Sequence, residues 1–168
     1  MTEEDDRLEK VFVDLPNHWG TSGESMWAIK LDCDLYQIDN VPFYAYGLNY
    51  RDKVQTDSTD STRKPIVKKV VEASGHETIR VLFSKGVGEK KQVPIIDELG
   101  RMGVEIERAF EKYVALDIPP ETDYDAVRNK LDDFQGKDIL QYETCEARID
   151  GGFDNSPNDN DENSTLSN

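Results

Sequence analysis

Between residues 77 and 149 the spacing of apolar residues switches between a period of two and a period near 3.6, and few folds accommodate that order. "ETIRVLFSK" (77–85) alternates, with Ile79, Val81 and Phe83 on one face of a strand. "VPIIDELGRMG" (93–103) carries Ile95, Leu99 and Met102 at helical spacing. Pro94 suits a first helical turn, where its missing N–H is no loss, and Gly103 suits a left-handed C-terminal cap. "VEIERAF" (104–110) and "KYVALDIPP" (112–120) follow as a strand hairpin. "TDYDAVRNKLDDFQG" (122–136) is a helix whose stripe is Tyr124, Val127, Leu131 and Phe134, with Thr122 as N-cap and Gly136 as stop. "DILQYETCEARI" (138–149) returns to alternation. The order β-α-β-β-α-β predicts a ferredoxin-like unit over 76–149.

The first half has a different rhythm. Short strands are expected at 11–16, 24–31, 35–41, 51–57 and 64–72, separated by polar or Gly-rich turns. The doubled Ile66-Val67 and Val70-Val71 predict a bulge, or a strand partly buried on both faces. Residues 11–75 therefore read as a small β-barrel of SH3-like type, and the fold class as α+β. Residues 1–10 read as frayed. The acidic tail, 150–168, has almost no apolar residue and is expected to be disordered.

The chain carries 35 Asp and Glu against 20 Lys and Arg, a net charge of −15. Such a surface disfavours nucleic acid, whose phosphates bind through Lys and Arg, and favours a basic protein partner. The acidic N-terminus lacks the pattern of a secretory signal, and no run approaches the ~20 apolar residues of a membrane span. Cys33 and Cys145 are too few for a disulfide framework, so the expectation is a cytoplasmic protein with two free thiols and no membrane association. Two His and two Cys without ligand spacing predict no metal, and nothing implies a cofactor.

Three stretches carry candidate sites. In "DNVPFYAYGLNYRDKV" (39–54), Pro42 removes a ladder donor, Gly47 relaxes the backbone, Asp52 tightens the turn and Val54 re-enters the core. This predicts a barrel corner, with Tyr44 and Tyr46 exposed as partner anchors. Trp19, in the loop "NHWG", is a third such anchor if exposed. In "ASGHETIR" (73–80), Ser74, His76, Thr78 and Arg80 share a face if one strand runs through them. Arg80 is suited to a carboxylate or phosphate, and His76 to proton exchange near neutral pH. No nucleophile motif surrounds Ser74, and the competing reading makes Ser74-Gly75 a turn braced by His76. The basic segment "RKPIVKK" (63–69) is the one positive island. It lacks interleaved aromatics, which counts against RNA.

In order, Trp27-Ala28, the segment Asn40 to Phe43, the turn Gly47 to Val54, Ser74 to His76, "LGRMGVEIE" and "YVALDIPP" resemble the bacterial domain-of-unknown-function 4265 family. The resemblance covers roughly residues 24–145. It implies a shared two-part fold and no particular reaction. For some members it implies a place beside toxin genes as immunity proteins. The leading expectation is a non-enzymatic protein-binding module facing a basic partner, in concrete form an immunity protein neutralising a toxin. The alternative is a small enzyme or ligand-binding module built from Trp27, Asn40, Ser74, His76 and Arg80, placed at the junction of barrel and ferredoxin-like unit. A further alternative is RNA or ribosome association through 63–69. A ferredoxin-like unit often pairs through its sheet, so a homodimer is compatible with this fold.

Overall fold

Alternating residues in the first half of the chain build five strands that close on themselves. The computed structural model describes residues 7–156. Strands β1 (Leu8–Asp14), β2 (Gly23–Asp32), β3 (Leu35–Ile38), β4 (Lys53–Asp57) and β5 (Ile66–Glu72) pair antiparallel in sequence order. A parallel contact between Phe12 and Ile66 closes the barrel. Closure removes the exposed edges that invite unwanted pairing. Inward-facing Val11, Val13, Met26, Ala28, Tyr36, Ile38, Val54 and Val67 fill the interior. The doubled Val70-Val71 of β5 does coincide with a register shift against β4, while Ile66 and Val67 pair in regular register and are both buried. Val71 nevertheless faces out, 49% exposed.

Three expectations change in this unit. Leu8 to Lys10, read as frayed, lie in β1 opposite Ile29 to Trp27. The third strand, expected over 35–41, ends at Ile38, and residues 39–50 form no strand. The carboxylate of Glu24, itself buried, accepts the backbone N–H groups of Phe43 and Tyr44 at 2.8 Å and of Ala45 at 3.3 Å. Donors that a ladder would have paired are thus satisfied by one side chain. Asp52 does the same at the exit, accepting from Asn49 and Ser74 N–H at 2.9 Å each.

The third change concerns the tail. Phe153, Asp154 and Asn155 are buried, because residues 146–156 belong to the barrel unit. Phe153 joins the barrel core and its carbonyl accepts from Tyr46 N–H at 2.9 Å. Asp154 accepts from Asn17 N–H. Asn155 N–H donates to Asp154 Oδ1 at 2.9 Å, so polar groups accompany Phe153 into the interior. The rest of the expected tail, 157–168, lies outside the described residues, as do residues 1–6. Gly47 is the seat of this contact: its φ is +72°, and a Cβ there would stand 2.8 Å from Ala147 Cβ. Gly47→Ala is expected to lower the unfolding free energy by about 2 kcal/mol in urea denaturation, from left-handed strain and this clash.

The second unit, Gly75–Cys145, contains β6 (Glu77–Phe83), α1 (Glu89–Arg101), β7 (Glu105–Phe110), β8 (Tyr113–Ile118), α2 (Tyr124–Gly136) and β9 (Leu140–Thr144). Its four strands are antiparallel in the order β7-β8-β6-β9. Ile79, Val81, Phe83, Val114, Leu116, Ile118 and Leu140 form one core with Ile95 and Leu99 of α1 and Val127, Leu131 and Phe134 of α2. The chain is thus a mixed α+β protein with two helices and two sheets among the described residues.

Helix starts differ from the sequence reading. α1 begins at Glu89, so Pro94 lies inside it rather than in its first turn. Buried Gln92 explains the extension: its amide donates to the carbonyls of Val87 at 3.0 Å and Glu111 at 2.9 Å, tying the first turn to the β7–β8 hairpin. The N-cap of α2 is Asp123, which accepts from Ala126 N–H at 3.0 Å, not Thr122. Gly103 does adopt the left-handed conformation, φ +100°. Among the described residues no helix is long and apolar enough to cross a membrane.

Candidate functional site

In β6 the odd residues Ile79, Val81 and Phe83 enter the core, so Thr78 and Arg80 emerge on the opposite face. Register then selects their neighbours. Thr78 stands opposite Asp117 of β8, and Arg80 opposite Glu143 of β9. The result is a polar constellation on one sheet face. His76 Nδ1 lies 2.8 Å and 3.1 Å from the two carboxylate oxygens of Asp117. Arg80 Nε donates to Glu143 Oε1 at 3.2 Å. Arg80 is 1% exposed and Asp117 3% exposed, so both charges stand where desolvation is severe.

Burial pushes the Asp117 carboxyl above the ordinary carboxylate range. The His76 ring pulls it back in part, and Glu105 and Glu121 push it further up. A carboxyl raised in the folded state holds a proton that the unfolded chain has already released. The fold therefore loses stability as pH rises from about 3.9, the unfolded value, through the raised value. Urea midpoints across this window are expected to show wild type falling relative to Asp117→Asn as pH increases. A difference that stays level or grows would mean that the His76 contact outweighs burial.

The remaining candidates are placed as follows. Ser74 ends the first unit, its hydroxyl donating to the Tyr50 carbonyl at 2.7 Å. Trp27 and Asn40 also belong to the first unit: Asn40 Oδ1 accepts from the Trp27 backbone N–H, while the Trp27 ring is 41% exposed. His76 and Arg80 belong to the second unit. Ser74 and His76 are therefore not the paired ends of one strand, since β6 begins at Glu77. Of the expected aromatic anchors, Tyr46 is fully buried, which overturns the exposed pair. Its backbone is bonded to Phe153 and its ring lies 4.7 Å from the Arg148 guanidinium. Tyr44 and Trp19 are half-buried. His18 stacks on Trp19 at 5.1 Å and meets the Tyr44 ring edge-on at 5.3 Å, so the loop "NHWG" packs against the 39–50 segment. Both cysteines are free, Cys33 exposed and Cys145 buried.

Sequence reasoning missed Asp117 and Glu143, the partners of the two candidate charges. They lie 41 and 63 positions away and only strand pairing brings them near. A signal existed for the first: Asp117 is the lone acid in the otherwise apolar strand "YVALDI", all of it buried. An acid at such a place demands a partner.

Among curated proteins none matches this chain. A solved structure described as "Novel crystal structure of a hypothetical protein from Neisseria gonorrhoeae" is similar in fold, with a TM-score of 0.70 at 18% identity, covering 87% of this chain and 96% of that one. The family model described as Domain of unknown function (DUF4265) matches residues 24–142, and this chain belongs to that family.

Proposed function

We propose that this protein is a non-enzymatic binding module for a basic protein, in its most concrete form an immunity-type protein that occludes a toxin. The observation that carries the reading is the pairing of buried Arg80 with Glu143 between β6 and β9, with His76, just before β6, held against Asp117. Arg80 is thereby engaged in holding two strands together rather than kept for a substrate. Charge supplies the partner's sign. Residues 75–145 hold 15 Asp and Glu against 10 Lys and Arg, and Glu105, Glu121, Asp125, Asp132 and Asp133 are exposed. Such a field steers a cationic partner into encounter. The exposed free thiol of Cys33 suits a reducing cytoplasm.

The finer fold reading belongs to the same proposal. A five-stranded ring closed by a parallel contact supports an SH3-like barrel. Helices after the first and third strands of a β7-β8-β6-β9 sheet support a ferredoxin-like unit.

The test is capture from native lysate at low and moderate salt, with mass spectrometry, followed by association kinetics with the captured protein. One basic protein at stoichiometric yield, released by salt, is expected. The double variant Glu105→Lys/Glu121→Lys should slow its association by roughly an order of magnitude at low salt. An empty capture, or kinetics indifferent to both salt and charge reversal, would overturn the reading.

A further inference from the structure

The barrel brings together a face of opposite character to the acidic unit. Residues 7–74 are close to balanced, with 10 Asp and Glu against 9 Lys and Arg. Their cations are unevenly placed. Arg63 and Lys64 precede β5, and the parallel contact of β5 with β1 sets them beside Phe12. The Arg63 guanidinium lies 5.4 Å from the Phe12 ring, and Lys64 Nζ donates to Ser25 Oγ at 3.1 Å. On the neighbouring pair of strands Lys10 faces Trp27, its ammonium 4.4 Å from the indole centroid. Phe12, Thr62, Arg63 and Lys64 line an open cleft of about 300 Å³. The sequence separates Phe12 from Arg63 by 51 positions. Register interleaves them.

We propose that this face, Lys10, Phe12, Trp27, Arg63 and Lys64, binds single-stranded nucleic acid. The cleft takes a phosphate, and Trp27 and Phe12 take successive bases. The two rings are diagonal neighbours on adjacent strands, since Phe12 stands opposite Ser25 and Trp27 opposite Lys10. That spacing, about 7–8 Å, lets each ring meet a different base. An acidic peptide would use the cations and leave both aromatic platforms idle. Asp14 takes one donor of Arg63 at 2.9 Å, and the guanidinium has further N–H groups for a phosphate. A surface cation–π pair is weaker than a stacked base, so Lys10 and Arg63 move from ring to phosphate when bases arrive. The chain's net charge of −15 opposes long-range approach, which confines binding to this patch and to short sites.

The experiment is fluorescence anisotropy of a labelled 12-nucleotide oligouridylate with the full chain from low to moderate salt, with a polyglutamate peptide as competitor. The expected slope of log affinity against log salt is about −2, the value for three phosphates on a single strand. Trp27→Ala, at an exposed position, should weaken binding by about five- to a hundred-fold at unchanged slope. Arg63→Glu/Lys64→Glu should weaken it and flatten the slope. No oligonucleotide binding at any salt would overturn the proposal. So would displacement by polyglutamate together with indifference to Trp27→Ala, which would reassign the face to acidic peptides.

Discussion

Glu143→Ala is expected to lower the unfolding free energy by about 3–5 kcal/mol, the usual consequence of leaving one charge of a buried pair behind. Arg80 is 1% exposed and pairs with Glu143 at 3.2 Å. With the carboxylate gone, the guanidinium loses the Glu143 counter-charge but not its burial. The double variant Arg80→Met/Glu143→Leu removes both charges, and most of the loss should be recovered. Denaturant unfolding at constant m-value measures both. A single-variant loss below about 1 kcal/mol would mean that Arg80 finds other support, and would return it to consideration as a ligand-binding group.

Glu24→Ala should produce a loss of similar size, about 3–4 kcal/mol, for a different reason. Three backbone donors, from Phe43, Tyr44 and Ala45, lose their acceptor. Each unsatisfied buried donor costs about 1–3 kcal/mol, and the half-exposed setting of Phe43 and Tyr44 lets water recover part of it. Glu24→Gln keeps one carbonyl acceptor and should lose roughly half as much. Amide hydrogen exchange localises the effect: protection should fall at residues 43–45 before it falls in the strands. Uniform loss of protection would mean that Glu24 supports the barrel rather than this segment.

These two acids also explain where the sequence was legible. The second unit could be read almost element by element, because its periodicities are local. Ile79, Val81 and Phe83 alternate, and Val127, Leu131 and Phe134 recur at helical spacing, and burial follows both patterns. Errors of a few residues arose at α1, where a long-range hydrogen bond from Gln92 added a turn. In the first unit, strand order was readable but the run 39–50 was not. Its aromatic and apolar residues resemble a strand, while its backbone is held by a carboxylate 19 to 21 positions away. Burial of Tyr46 beneath the returning segment at Phe153 was illegible for the same reason.

By itself the sequence determined the α+β class, the order of strands and helices, the turns at Gly47 and Gly103, and the charge that any partner must meet. These depend on periodicity, composition and the conformational freedom of single residues, all properties of neighbours in the chain. Only the tertiary structure decided which charges are spent on one another, His76 on Asp117 and Arg80 on Glu143. Only it decided that Phe12 and Trp27, on neighbouring strands, stand among cations drawn from one strand and a loop. Pairing register is set by the fit of whole strands, so no local pattern carries it.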